Sequence, residues 1–198
     1  MNTALLTSMF FFSLSMSISP GPVNMVIASS SMNYGAKKTM SFVSGATIGF
    51  TLLLIFIGFG FHKVVIAYPA VLKYLTVSGA AFIAYIGYKI ATSKSDIQLE
   101  RTSPANFMQG FMLQWLNAKA WIACLAGAAM FSNPETSLNL SLFIVIYFFV
   151  CYISLALWAV AGEQASSFLK RGNRLKIFNA CMGFVLILSA IHILRGVF

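Results

Sequence analysis

The sequence has little charge, and acidic residues are especially scarce. Only 9% of the 198 residues are charged and only 4 of them are Asp or Glu, whereas a soluble domain carries about 25% charged residues. Hydrophobic residues make up 59% of the chain, and its mean hydropathy is +0.85. A soluble fold of this size could not bury so much apolar surface. We therefore interpret the chain as an all-α integral membrane protein.

The motifs of enzymes and of metal or nucleotide sites are also missing. The chain has no P-loop, no Gly-rich nucleotide fingerprint and no catalytic dyad or triad, so neither an enzyme nor a cofactor is predicted. Cys124, Cys151 and Cys181 form no CxxC or CxxH pattern and lie in apolar runs, which predicts buried side chains. His62 and His192 fall near outer helix ends without a third ligand at metal spacing, so no metal site is expected.

The dominant feature of the sequence is a series of long apolar runs. A helix needs about 20 residues to cross the hydrocarbon core of a bilayer. The stretch 93–105 is the one polar linker, and it separates the halves 1–92 and 106–198 of a single domain, 1–198. We predict six membrane spans, at residues 4–32, 41–61, 69–92, 106–131, 138–161 and 175–197.

Positive charges cluster at the ends of these runs, a pattern typical of membrane topology and not of nucleic-acid binding. Nine of them fall in or beside the first, third and fifth loops, against three in the other loops and termini. This predicts cytoplasmic odd-numbered loops and both termini outside the cell (inner) membrane. Because each half has three spans, the halves enter from opposite sides, and we expect a 3+3 inverted repeat. The nine residues are Lys37, Lys38, Lys89, Lys94, Arg101, Lys170, Arg171, Arg174 and Lys176.

The stretch "SISPGPVN" interrupts the first span. Pro20 and Pro22 each remove a backbone donor, which leaves the carbonyls of Met16 and Ile18 without intrahelical partners. These carbonyls cannot face lipid, so they must face neighbouring helices or a wet cavity. A proline kink that only helps the helices to pack is the alternative to a binding site.

Polar residues also lie inside the fourth span, at the corresponding place in the second half. A charge at the centre of a span costs about 2.5–3.5 kcal/mol, so Lys119 is expected to face a cavity or a partner, although snorkelling to an interface is the alternative. Asn117 and Lys119 lie about 200° apart on a regular helix, so both reach one cavity only if the span is broken there. The predicted substrate site comprises Ser17, Pro20, Gly21, Pro22, Asn24, Gln114, Asn117 and Lys119.

Two further features concern coupling and packing. Glu163, at the end of the fifth span, is the candidate for proton coupling, with an interfacial charge as the alternative. Gly45 and Gly49 in "SGATIGF" have the small-xxx-small spacing that lets two helix backbones approach closely. We expect this pair to have a packing role, with pore lining as the alternative.

These motifs together resemble the lysine exporter (LysE/RhtB) family of amino-acid exporters. The resemblance rests on "SPGPVN" after an apolar run, "YGAKKTMSFVSGATIGF", "SGAAFIAYIGYKIATS" and "FMQGFMLQWLNAKAW", and it covers nearly the whole chain. "YKIATS" and the overall length are most similar to the cysteine and O-acetylserine exporter branch. The family has Asn-Pro-Lys where this chain has Asn117-Ala118-Lys119, so the extent of unwinding in the fourth span stays open.

The resemblance implies efflux of a small amino acid from the cytoplasm, driven by an ion gradient such as that of protons. The residues suit this task, because Lys119 and the half-helix N-terminus past the break could meet a carboxylate. Asn24, Asn117 and Gln114 could hydrogen-bond the ammonium or the side chain. We predict a secondary transporter with an amino-acid substrate, surrounded by lipid and without nucleic-acid partners. A passive channel or pore and a non-transporting scaffold protein are the alternatives, and assembly into a homo-oligomer stays open.

Overall fold

The computed structural model describes residues 3–61, scattered positions between 74 and 92, and residues 104–132, 137–169 and 174–195. All regular structure in this part of the chain is helical. Most of the predicted third span, nearly all of the linker and His62 lie outside the described residues, as do many of the loop charges. The predicted orientation of the termini therefore stays a prediction.

Seven α-helices have defined bounds among the described residues, and two of the predicted spans are each divided into two helices. The helices are α1 (Thr3–Ile18), α2 (Pro22–Tyr34), α3 (Ala36–Phe56, continued by a π-helical turn at Ile57–Phe61), α4 (Phe107–Trp115), α5 (Ala118–Phe131), α6 (Leu138–Leu169) and α7 (Arg174–Arg195). Helix α3 begins earlier and α6 ends later than predicted. Hydropathy marks only the apolar part of a helix, and good helix formers such as Lys and Glu extend both helices beyond it.

Two helical segments are long and apolar enough to cross a membrane, Ala36–Gly60 and Leu138–Ser166. Helices α1 and α2 meet the same criteria only as a pair, with a bend of 58° between them. By length and composition, the described residues thus supply up to three crossings. The full set of six spans and the 3+3 inverted repeat stay predictions.

The pair α1–α2 runs in the opposite direction to the pair α4–α5. At one end of the molecule, the ring of Phe12 on α1 lies 5.8 Å from the ring of Phe131 on α5. At the other end, the backbone N–H of Ala105, just before α4, donates to the hydroxyl of Ser30 on α2 at 3.4 Å. The two breaks therefore lie side by side in the middle of the fold.

Helix α6 packs against α1, α2 and α3 and contributes one face to the buried core. The ring of Tyr147 on α6 stacks on Phe50 of α3 with 4.3 Å between ring centroids. Further along α6, Gly162 lies against α2, because a Cβ there would be 2.8 Å from the carbonyl oxygen of Ala28. These contacts fix α6 beside the break between α1 and α2.

Helices α3 and α4 approach closely through glycines, which confirms the predicted packing role of Gly45 and Gly49. A Cβ on Gly45 would overlap with the carbonyl oxygen of Phe107, and one on Gly49 would lie 2.8 Å from that of Phe111. From the other side, a Cβ on Gly110 would overlap with the backbone of α3. The two helix backbones are therefore in direct contact, and α4 is held in place by α3.

The predicted burial of the three cysteines is right for two of them. Cys124 and Cys151 are buried, whereas Cys181 on α7 is exposed. The prediction was wrong for Cys181 because an apolar run in a membrane protein can face lipid as well as the core. Hydropathy does not distinguish these two apolar surroundings.

Candidate functional site

The predicted break in the first span lies at residues 19–21. Helix α1 ends at Ile18, and α2 begins at Pro22. Gly21 is the N-cap of α2 in an extended conformation (φ −168°, ψ 176°), and Pro22 occupies the first helical position. A proline is well tolerated there because the first N–H groups of a helix have no intrahelical acceptor. The break is therefore built into the "PGP" sequence.

The carbonyls that the prolines leave without helical donors are both satisfied by side chains. The carbonyl oxygen of Met16 accepts a hydrogen bond from the Ser19 hydroxyl at 3.4 Å. That of Ile18 accepts one from the indole Nε1 of Trp158, on α6, at 3.0 Å. The sequence-based expectation that these carbonyls face a neighbouring helix is confirmed for Ile18. Trp158 thus links α6 to the carbonyl end of α1.

Replacing Trp158 with phenylalanine is expected to lower the stability of the protein by about 1–3 kcal/mol, because the Ile18 carbonyl loses its donor inside the membrane. The measurement is the midpoint of thermal unfolding in detergent. Trp115→Phe is the matched control, since the indole nitrogen of Trp115 is buried without a hydrogen-bond partner among the described residues. Equal loss of stability in both variants would contradict a specific role for the Trp158 hydrogen bond.

The fourth span is also broken, although it lacks the proline of the family pattern. Helix α4 ends at Trp115 and α5 begins at Ala118, where the proline would stand. Asn117 is the N-cap of α5, and its Oδ1 accepts a hydrogen bond from the backbone N–H of Lys119 at 3.1 Å. Asparagine is among the best N-cap residues. A new helix can therefore start at Ala118 without proline.

Lys119 reaches from the start of α5 to the break in the first span. Its Nζ donates to the carbonyl oxygen of Ser19 at 2.7 Å, to the Ser19 hydroxyl at 2.9 Å and to the carbonyl oxygen of Pro20 at 3.5 Å. A Cβ on Gly21 would lie 3.3 Å from the same Nζ. The ammonium thus lies at the C-terminal end of α1, where the helix dipole is negative.

A small cavity lies between the two breaks. Its volume is about 30 Å³, which is room for roughly two water molecules. An amino acid would need a more open conformation of this cavity. Pro20 and Pro22 shape the break without lining the cavity, whereas six of the predicted site residues line it: Ser17, Gly21, Asn24, Gln114, Asn117 and Lys119.

Buried polar side chains surround this cavity. Asn24 donates from Nδ2 to the carbonyl oxygen of Ser17 at 3.0 Å, which ties α2 to α1 across the break. Asn117 donates from Nδ2 to Oε1 of Gln114 at 3.5 Å. The Ser17 hydroxyl is buried, in a residue that is 6% exposed, and it makes no well-formed hydrogen bond to the described residues, although the side chains of Tyr147 and Cys151 lie near it. The cavity lining thus includes a buried hydroxyl with unused hydrogen-bonding capacity.

Helices α3 and α6 contribute cavity residues that the sequence reasoning missed. Phe50 of α3 and Tyr147, Cys151 and Leu155 of α6 line the cavity. The spacing of four between the α6 residues puts them on one helix face. A tyrosine and a cysteine on one face of an apolar span were the available signal, but Cys151 was interpreted only as a small buried side chain.

Glu163 lies on α6 away from the cavity. It is twelve residues beyond Cys151, which corresponds to about 18 Å along a helix. Its side chain is exposed, and Oε1 would lie 3.0 Å from a Cβ on Gly35, in the turn between α2 and α3. Gly35 has φ +87°, which glycine adopts without strain. The structure does not bring Glu163 together with the other predicted site residues.

Comparison with known proteins gives matches over nearly the whole chain. The family model described as LysE type translocator matches residues 14–196. The cysteine/O-acetylserine efflux protein of Escherichia coli strain K12 is 27% identical over 98% of this chain and 99% of its own length. The protein of the same name from Escherichia coli O157:H7 is 28% identical over the same shares. No solved structure is significantly similar to the chain.

Proposed function

The chain belongs to the LysE type translocator family, and we propose that it exports a small amino acid or amino-acid derivative from the cytoplasm. The proposed path of the substrate is the cavity between the two breaks. Relatives of similar length are named for efflux of cysteine and O-acetylserine. Both compounds are small zwitterions with a polar side chain. We take this class as the substrate, and an inward proton gradient across the inner membrane as the driving force.

The observation that carries the proposal is that the break in the first span places two opposite helix ends at one cavity. The C-terminal end of α1 offers carbonyl oxygens and a negative dipole end, whereas the N-terminal end of α2 offers N–H groups and a positive one. No side chain caps the N-terminus of α2. A zwitterion matches both ends, with its ammonium toward α1 and its carboxylate toward α2.

The buried polar side chains provide contacts for the rest of the substrate. The Ser17 hydroxyl makes no well-formed hydrogen bond to the described residues, and Ser17 lines the cavity, which supports hydrogen bonding to a polar group of the substrate. The amides of Asn24, Gln114 and Asn117 line the same cavity and can donate or accept. The Lys119 ammonium could pair with the carboxylate, but only by leaving the oxygens that it now contacts.

Counterflow in proteoliposomes tests this function. With unlabelled cysteine or O-acetylserine trapped inside, we expect saturable accumulation of the labelled compound, because a carrier exchanges substrates across the membrane. A passive pore would let the label equilibrate without saturation or accumulation. A scaffold protein would give no flux above that of empty liposomes. Either result would contradict the proposed function.

Ser17→Ala provides the test of the site within the same assay. We expect the half-saturation concentration to rise by about tenfold, the effect of losing roughly 1.4 kcal/mol of hydrogen bonding to the substrate. Thermal stability should fall by less than it does in Ser13→Ala, because the Ser17 hydroxyl makes no well-formed hydrogen bond to the described residues, although Tyr147 and Cys151 lie near it. Ser13→Ala is the matched control one turn earlier, where the buried hydroxyl donates to the Met9 carbonyl at 2.7 Å. Unaltered saturation in Ser17→Ala would exclude the hydroxyl from the site.

A further inference from the structure

The surroundings of Lys119 consist of neutral hydrogen-bond acceptors. Its ammonium is held by two carbonyl oxygens and one hydroxyl at the break, all within 3.5 Å. No carboxylate contacts it among the described residues. Carbonyl oxygens at the end of a broken helix are typical ligands of a coupling cation in transporters. Here a side chain of the protein itself supplies the cation.

The groups that face Lys119 from the surrounding helices leave its charge without a counter-ion. Among the described residues that line the cavity with Lys119, Tyr147 and Cys151 of α6 are the titratable ones, and both are neutral in their ordinary state at neutral pH. Helix α3 contributes Phe50, and α4 contributes the amide of Gln114. An ammonium in such a place at membrane depth is held only by dipoles.

The contacts of Lys119 are also those that a substrate ammonium would make. A lysine side chain and an amino acid both carry a primary ammonium with three donors. The Ser19 and Pro20 carbonyls lie at the negative end of α1, which is the end expected to attract the ammonium of a zwitterion. Two ammonium groups cannot share these oxygens, because like charges at contact distance repel strongly in a low-dielectric site.

We propose that the Lys119 ammonium occupies the position of the substrate ammonium when no substrate is bound. Because the two groups compete for the Ser19 and Pro20 carbonyls, Lys119 becomes the proton carrier of an amino acid/proton antiport. This inference rests on the proposed export function. When a substrate enters from the cytoplasm, Lys119 releases one proton to cavity water on that side, and the neutral amine leaves the carbonyls to the substrate ammonium. After the substrate departs outward, the amine takes one proton from external water and returns to Ser19 and Pro20. One proton moves inward for each amino acid that moves out.

The test compares a side chain that is never charged with one that is always charged, in the full-length protein in proteoliposomes. In Lys119→Gln we expect the acceleration of net cysteine efflux by a pH gradient to disappear, because the amide cannot carry a proton, and cysteine counterflow to stay above that of Lys119→Arg, because no charged side chain competes for the carbonyls. In Lys119→Arg we expect counterflow to fall by about tenfold or more, because a guanidinium does not deprotonate in proteins and keeps the carbonyls occupied. Lys37→Gln, at an exposed lysine on α3, is the matched control and should retain both activities.

The opposite pattern would overturn the inference. If Lys119→Arg supports counterflow and Lys119→Gln does not, the lysine pairs with the substrate carboxylate, and the export function itself stands. A wild-type protein that exports cysteine down its own gradient without moving protons in the opposite direction, followed with a pH dye inside the liposomes, would also overturn it. Coupling that survives in Lys119→Gln and is lost in Glu163→Gln would assign the proton to Glu163. Absence of wild-type counterflow would instead reject the proposed function.

Discussion

Replacing Gly45 with alanine is expected to lower export by about tenfold or more, although Gly45 does not line the cavity. The added Cβ would overlap with the backbone oxygen of Phe107 at the α3–α4 contact. Backbone atoms cannot rotate away as a side chain can, so α4 must shift as a unit. Overpacking of this kind costs about 1–3 kcal/mol or more. Because α4 carries Gln114 and leads directly to the break at Asn117, a displacement of α4 also displaces half of the candidate site.

The measurement for Gly45→Ala is cysteine counterflow together with the midpoint of thermal unfolding. Both should fall, and the flux should drop by about tenfold or more. Gly60→Ala is the matched control on the continuation of α3, since a Cβ at Gly60 would meet none of the described residues within 4 Å. Normal transport by Gly45→Ala would mean that the α3–α4 contact does not position the site.

The two breaks could be predicted from local sequence, because their causes are local. Pro20 and Pro22 remove two donors within three residues, and no helix can continue regularly through that change. In the fourth span, Asn117 and Lys119 occupy opposite sides of a regular helix, which implied a break if both were functional. The structure has this break even with Ala118 in the place of proline, since the Asn117 cap depends only on the adjacent backbone.

The partners of the break could not be predicted, because they come from distant parts of the chain. Trp158 donates to the Ile18 carbonyl across 140 residues of sequence, and Lys119 donates to the Ser19 carbonyl across 100. Which helix lies beside the break depends on tertiary packing, in particular on the contact of Gly162 with α2. A sequence pattern within one span contains no information about that neighbour.

Cavity residues on α6 were missed for a related reason. Most of α6 is apolar on all sides. The side chains that face outward are therefore chemically similar to those that face the core. Tyr147 and Cys151 are buried in the core, whereas Phe149 and Ile153 on another face are exposed. In a soluble helix the polar side would have identified the buried face. In a membrane helix the contrast between a polar and an apolar face is weak, so only the polar groups of Tyr147 and Cys151 could have indicated the cavity.

Replacing Asn24 with alanine is expected to reduce export to background while the protein still inserts into the membrane. Asn24 is 4% exposed, and its Nδ2 donates to the Ser17 carbonyl at 3.0 Å. Loss of this donor leaves a buried carbonyl unsatisfied, at a cost of about 1–3 kcal/mol. The bond joins the two half-helices across the break, so its loss also frees the ends that are proposed to face the substrate. Counterflow of cysteine in proteoliposomes is the measurement.

Two comparisons separate the role of the Asn24 hydrogen bond from that of its side-chain volume. They are the variant Asn24→Asp and the matching substitutions at Asn33, a second asparagine on α2. An ionised aspartate has nearly the same shape but cannot donate to the Ser17 carbonyl. It also places a negative charge beside the proposed carboxylate position, so we expect transport no better than that of Asn24→Ala. Asn33 donates in the same way, to the Ser29 carbonyl at 2.9 Å, but it is exposed and lies within one helix. Asn33→Ala and Asn33→Asp should therefore transport normally. Substantial transport by Asn24→Asp would show that volume, and not the donor, is what position 24 requires.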